Sequence, residues 1–228
     1  MVNCRRSLLR RVGTLCLPAL AAMAIAPGSA AERAAFTAAD VVLEREVYSP
    51  VLSPDGAWAA YITRVNELDR DARNADLWMA SIDGLRNIRL TRSTVSESRP
   101  GWSPDSRYLS FLAPGGTRDP AGKETPGPRQ IWLLDRAGGE PEQLTAFGGD
   151  VVDYAWSPDG RQLAVVAWDP DSRKPARADA TPAPIVIDRY YFKEDYTGYL
   201  GPERKRLHVF DMATRKAERL SDSPWDET

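Results

Sequence analysis

One tetrapeptide recurs three times at nearly constant spacing, and that recurrence restricts the chain to folds made of stacked units. It reads Ser53-Pro54-Asp55-Gly56, Ser103-Pro104-Asp105-Ser106 and Ser157-Pro158-Asp159-Gly160, with starts 50 and then 54 residues apart. Each copy is followed by a short apolar run, an insertion of variable length, and a fifteen-residue phrase. The phrases run Leu77 to Thr91, Ile131 to Thr145 and Leu207 to Ser221, and they align without a gap. A period of this size marks repeated supersecondary units.

Each unit contains four strand-like pieces. In the second they are Ser98 to Trp102, Tyr108 to Ala113, Gln130 to Asp135 and Glu142 to Thr145. Alternating apolar residues with β-branched and aromatic content favour strands. The tetrapeptide predicts a tight hairpin: proline presets φ, aspartate bonds its own backbone and glycine accepts positive φ. Ser106 stands where the other copies have glycine, so that turn is expected to be strained or of another type. Asp83-Gly84 and Gly138-Gly139 predict the turns between third and fourth strands, and Ala213 to Lys216 does so in the third unit without glycine.

Four antiparallel strands at this period predict an all-β chain, an incomplete β-propeller of about three four-stranded blades near 47–92, 98–146 and 151–221. Trp102 and Trp156 end first strands, and Trp78 and Trp132 fall in third strands. Rings at equivalent places are expected to fill the space between blades.

Residues 1–31 read as an export leader. Arg5, Arg6, Arg10 and Arg11 precede an apolar run from Val12 to Ala26, and Gly28-Ser29-Ala30-Ala31 offers small residues for cleavage. The Arg5-Arg6 pair admits a twin-arginine route beside the general secretory one. The expected location is periplasmic or secreted, without a membrane anchor after cleavage. Both cysteines, Cys4 and Cys16, lie in the leader, so thiol catalysis, thiolate metal sites and disulfides are excluded from the rest. Beyond the leader, 26 basic side chains face 32 acidic ones, a balance that argues against nucleic acid.

Thr37 and Asp40 have capping-box spacing ahead of a short amphipathic stretch to Arg45. Ser223 to Thr228 reads as the start of a fourth unit, so the chain is expected to be part of a longer propeller, with open sheet edges prone to self-association. Three insertions interrupt the blades. Arg64 to Ala75 reads as charged and solvated, and Pro114 to Arg129 as a flexible Pro/Gly loop. The longest, Asp169 to Arg206, starts irregular and then turns strand-like and tyrosine-rich around Gly198. That second part predicts a hairpin or extended arm projecting from the blade, with Arg189, Tyr190, Tyr191, Glu194 and Tyr196 as candidate binding residues.

No catalytic residue, metal site or cofactor is predicted. The single histidine, His208, alternates with apolar neighbours as a sheet residue would. No Gly-x-Ser-x-Gly elbow, zinc-protease helix, phosphate loop or dinucleotide fingerprint occurs.

The phrases Trp156 to Ala164 and Gln143-Leu144-Thr145 resemble TolB-like propeller blades. The order of parts resembles the amino-terminal half of exported S9 peptidases, the prolyl oligopeptidase group that includes dipeptidyl and acylaminoacyl peptidases. Asp188 to Lys193 with Gly198-Tyr199-Leu200 looks like their third-blade insertion, and so does Pro224 to Glu227 like their continuation. The resemblance implies a substrate-gating propeller, with peptide as substrate and a C-terminal α/β-hydrolase domain as partner carrying the catalytic triad. This chain alone is then expected to be inactive. The alternative is a TolB-like module that binds a periplasmic protein. A propeller enzyme working in its own channel would need converging metal-ligating acids, and the sequence offers no evident set.

Overall fold

The computed structural model describes residues 35–118, 124–170, 184–187, 190–195 and 198–222. The expected leader, Arg189, Tyr196 and the start of a fourth unit at 223–228 lie outside the described residues. The chain divides into Met1–Phe36 and Thr37–Thr228, and every strand among the described residues falls in the second unit.

A five-residue helix, α1 (Ala38–Val42), precedes the strands. The Asp40 carboxylate accepts from the Thr37 N–H at 2.7 Å and from the Thr37 hydroxyl at 2.8 Å, which is half of a capping box. The helix stops short of Arg45. Val41 and Leu43 are exposed, so no packing sustains a further turn. No helix among the described residues is long and apolar enough to cross a membrane.

Three antiparallel four-stranded sheets follow. The first is β1 (Glu46–Leu52), β2 (Trp58–Glu67), β3 (Ala72–Ser81) and β4 (Asn87–Arg89) in sequential order. The second is β5 (Ser98–Trp102), β6 (Tyr108–Arg118), β7 (Glu124–Asp135) and β8 (Glu142–Gln143). The third is β9 (Val151–Trp156), β10 (Gln162–Trp168), β13 (Lys205–Asp211) and β14 (Lys216–Arg219). Between β10 and β13 the chain makes a two-stranded hairpin, β11 (Lys193–Glu194) with β12 (Gly198–Tyr199). The three sheets are propeller blades, each strand pairing with the next strand of its own sheet.

The recurring tetrapeptide builds the same turn three times. The serine hydroxyl donates to the aspartate two residues on, at 2.6, 2.5 and 2.7 Å for Ser53, Ser103 and Ser157. The same hydroxyl accepts the N–H that opens the next strand, from Trp58, Tyr108 and Gln162. The fourth residue has φ of 69°, 59° and 70° at Gly56, Ser106 and Gly160. Ser106 therefore keeps the glycine conformation rather than changing the turn. Its hydroxyl accepts the Asp55 N–H of the neighbouring blade at 2.9 Å, an inter-blade bond that offsets the strain. Ser81 and Asp83 repeat this serine–aspartate bonding between β3 and β4.

The gapless fifteen-residue phrase also has a physical cause. Its last residue closes back on its first. Thr91 accepts the Leu77 N–H, Thr145 accepts the Ile131 N–H, and Ser221 lies 3.5 Å from the Leu207 N. An insertion within the phrase would break this clasp.

The core lies between blades, not within them. On β6, Leu109, Phe111 and Ala113 face the first blade's Trp58, Ala60, Ile62, Leu77 and Met79. Leu112 of the same strand, with Ile131 and Leu144, faces Val151, Leu163, Val165 and Phe210 of the third blade. The two-residue period of the strand thus feeds two interfaces from one element. Trp102 Nε1 donates to Val51 O, and Trp156 Nε1 to Ser110 Oγ, so each first-strand tryptophan ties its blade to the one before. The expectation of inter-blade tryptophans holds for both.

Two insertions differ from expectation. Pro114 to Arg129 is not a flexible loop over its described part: β6 and β7 extend into it as a hairpin, with Pro114 opposite Arg129 and a register shift before Gly116. Gly115 permits the close approach, since a Cβ there would sit 2.9 Å from Gln130 Cγ and 3.0 Å from Pro128 O. Arg64 to Ala75 likewise lengthens β2 and β3, which pair from Trp58–Ser81 out to Glu67–Ala72. The tip turns through a short 3₁₀ segment, Leu68–Arg70, and a left-handed Asp71.

The carboxylates of the turns set an acid limit. The Ser53 hydroxyl and the Arg136 guanidinium hold Asp55 down from 3.8 to about 2. Serine hydroxyl bonds also lower Asp83, Asp105 and Asp159. A depressed folded value means stability that is present above the unfolded value near 3.8 and lost as pH falls towards 2. Burial pushes Glu97 the other way, so its contribution weakens as pH rises above its ordinary value. Thermal melts should therefore fall steeply between about pH 4 and pH 2, and Asp55→Asn should flatten part of that slope. An unchanged slope in the variant would show that Asp55 is not part of the acid transition.

Candidate functional site

The first strand of each blade lies beside the first strand of the next, β1 with β5 and β5 with β9, so these strands form the inner edge of the fan. Each carries a bulge against its second strand. The register shifts between Tyr48 and Val51, between Ser98 and Gly101, and between Val151 and Asp153. At the first two bulges a non-glycine residue adopts positive φ directly before a proline: Ser49 at 52° and Arg99 at 49°. Such conformations cost on the order of 1–3 kcal/mol each and persist where surrounding structure enforces them. Bulges also re-aim side chains.

The bulges border a cavity of about 380 Å³ lined by Ser49, Arg99, Trp102, Asp153, Tyr154 and Trp156. Ser49, Arg99 and Asp153 occupy the same repeat position, four residues before Ser53, Ser103 and Ser157. Arg99 Nη1 pairs with Asp153 Oδ1 at 3.0 Å, and both side chains are about half exposed, at 53% and 52%. Asp153 Oδ1 also accepts the Tyr154 N–H at 2.9 Å.

Behind the ion pair sits a buried polar node. The Tyr154 hydroxyl lies 2.8 Å from Arg99 O and 2.9 Å from Ser110 Oγ. Ser110, fully buried in β6, donates to Gly101 O at 2.8 Å and accepts from Trp156 Nε1 at 2.9 Å. Burial pushes the Tyr154 phenol above its ordinary range, so it stays protonated and remains a donor at any ordinary pH. Residues from two blades thus clamp the Arg99 bulge from behind. Gly101 leaves room for this node: a Cβ there would stand 3.2 Å from both Tyr154 Oη and Ser110 Oγ.

Sequence reasoning did not single out this site. The signal was present as Ser49-Pro50 and Arg99-Pro100, each a proline inside a first strand at the same repeat position. Proline within a strand marks an edge or a bulge.

A two-stranded hairpin, β11 with β12, forms where the sequence placed one. Tyr190 is fully exposed at 101%, and Tyr191 is largely exposed. Glu194 pairs through its backbone with Gly198. Arg189 and Tyr196 lie outside the described residues, so the five candidates are not brought together as one described set. Phe192 stacks on Tyr199 at 6.3 Å, and Lys193 lies 5.7 Å from the same ring. With Ile185, Val186 and Ile187 also exposed, the arm presents an apolar and aromatic surface.

His208 is held as a sheet residue. Its Nδ1 lies 3.1 Å from Arg206 O, and its ring meets Phe147 edge-on at 5.0 Å. Burial lowers its pKa below the ordinary value. Among the described residues, no three His, Cys, Asp or Glu side chains are placed to hold a metal ion.

No protein-family model matches the chain. It is 28% identical over 130 residues to the uncharacterized peptidase YuxL of Bacillus subtilis, covering 57% of this chain and 18% of that protein. It is 29% identical over 119 residues to the Tol-Pal system protein TolB of Alcanivorax borkumensis, covering 52% of this chain and 25% of that protein. In fold it matches the acylaminoacyl peptidase of Pyrococcus horikoshii with a TM-score of 0.58 at 16% identity, over 79% of this chain and 25% of that one. The chain thus spans about a quarter or less of each of these three proteins. It is similar in sequence to peptidases and to TolB proteins, and its three blades share the fold of the propeller part of an S9 peptidase.

Proposed function

We propose that this chain is the non-catalytic propeller portion of an exported S9-type serine peptidase, receiving short peptides for a C-terminal hydrolase domain. The observation that carries the reading is the sequence similarity to a peptidase over blades that share an acylaminoacyl peptidase's fold. The position of His208 supports it, since this one histidine is engaged within a sheet and against Phe147. The inner-edge cavity supplies a place where a peptide can be held, and the aromatic arm supplies a surface for a peptide or a neighbouring domain. Export rests on the leader read at 1–31.

The identity to TolB favours a second reading, a propeller that binds a periplasmic protein. One experiment separates the two. Native protein captured from its source with antibodies against the blades is treated with a serine-reactive fluorophosphonate probe. The peptidase reading expects a labelled band on the captured polypeptide and hydrolysis of short peptides, with no hydrolysis by the 228-residue chain alone. Captured protein that carries no label and cleaves nothing would overturn it in favour of the binding module.

A further inference from the structure

We propose that the inner-edge cavity binds a peptide carboxylate, with Arg99 as its receptor. This deepens the peptide-handling reading above and rests on it. The Arg99 guanidinium meets Asp153 through one nitrogen, at 3.0 Å. Guanidinium presents five donors in a planar fork matched to a carboxylate, and Arg99, about half exposed, lines the cavity. Its place is built rather than incidental. Arg99 occupies a positive-φ bulge before Pro100, and the Tyr154 hydroxyl fixes its carbonyl from the next blade. Fully buried Ser110 lies 2.9 Å from the same hydroxyl.

The partner charge narrows the ligand. Asp153 beside Arg99 makes the site neutral overall, which disfavours a dianion such as phosphate and suits a monoanion that also brings a donor. A peptide offers both: a carboxylate for Arg99, and the amide N–H of the same residue for the outer Asp153 oxygen. Trp102 and Trp156 line the same cavity and provide apolar wall for the adjoining side chain. A volume of about 380 Å³ matches a peptide end of two or three residues rather than a folded domain.

The test is calorimetric titration of the full chain with Ala-Ala-Phe, with its C-terminal amide, and with acetyl-Asp-Ala-Phe-amide. Inorganic phosphate serves as competitor. Binding of the free acid, at least about tenfold weaker binding of its amide, and poor competition by phosphate are expected. Binding of the aspartyl peptide as well would assign the site to carboxylates in general; its failure would assign it to the C-terminus, and either supports the proposal. Arg99→Gln should lose about tenfold while melting as the parent does, because Gln keeps the side-chain bulk and bears the same backbone strain. Asp153→Asn leaves the Arg99 charge unbalanced and should let phosphate compete more strongly than it does on the parent chain. Equal binding of acid and amide, or an Arg99→Gln variant that binds normally, overturns this site while leaving the peptide-handling reading standing. Effective competition by phosphate overturns the assignment to peptide. Failure of all three peptides to bind overturns both.

Discussion

Phe111→Ala should destabilise the chain by about 3–5 kcal/mol, and the loss should concentrate at one blade interface. Phe111 is 2% exposed and sits in the cluster between the first and second blades, with Trp58, Ile62, Leu77 and Met79. Removing its ring takes away buried area and leaves a cavity that sheet-bound neighbours on both sides cannot collapse into. For a chain of this length the melting temperature should drop by roughly 2–4 °C per kcal/mol. Stacked units draw stability from each blade and from each interface. Hydrogen exchange should therefore quicken in β2, β3 and β6 while β10 and β13 stay protected. Even loss of protection across all three blades would show that they unfold as one unit.

Ser110→Ala should cost several kcal/mol although it removes a single oxygen. The hydroxyl donates to Gly101 O and accepts from Trp156 Nε1, and Tyr154 Oη lies 2.9 Å from it. With the oxygen gone, the Gly101 carbonyl and the Trp156 N–H are stranded, at about 1–3 kcal/mol for each buried unsatisfied group. The Tyr154 hydroxyl has one proton, so with Ser110 Oγ gone Arg99 O is its remaining acceptor, and the Arg99 bulge should stay in place. A lowered melting temperature with a shifted Trp156 emission is expected. Gly101→Ala should act on the same node from the opposite side by crowding Tyr154 and Ser110. A Ser110→Ala protein that melts like the parent would mean that water replaces the hydroxyl.

These two sites mark different degrees of legibility in the sequence. Phe111 belongs to a short apolar run, Leu109 to Ala113, broken only by Ser110, and such a run after a turn assigns it to a buried strand. That the two faces of this strand serve two different interfaces is a matter of packing, and no local pattern reports it. Ser110 reads locally as an ordinary polar residue on the other phase of the same strand. Its role arises because Tyr154 and Trp156, more than forty residues away, arrive at its oxygen.

The arm and the insertions divide in the same way. Strand-forming residues around Gly198 were enough to predict the hairpin of β11 and β12. Pro114 to Arg129 carries loop composition, yet its glycines allow two backbones to approach, so pairing won over composition. Ser106 looked like a defect in the repeat. Its positive φ is retained because its hydroxyl bonds the turn of the neighbouring blade.

The sequence by itself determined the blade: its four strands, its serine–aspartate turns, its clasped fifteen-residue phrase and the number of copies. The turns and the clasp rest on bonds between residues at most fourteen apart within one unit, so they repeat wherever the residues repeat. Only the tertiary structure decided the candidate site. Arg99 and Asp153 are 54 residues apart, and neither carries a signal until stacking sets one inner strand against the next. The pairing depends on the angle and spacing between blades, which are set by the interdigitated side chains of two interfaces and by nothing within a single repeat.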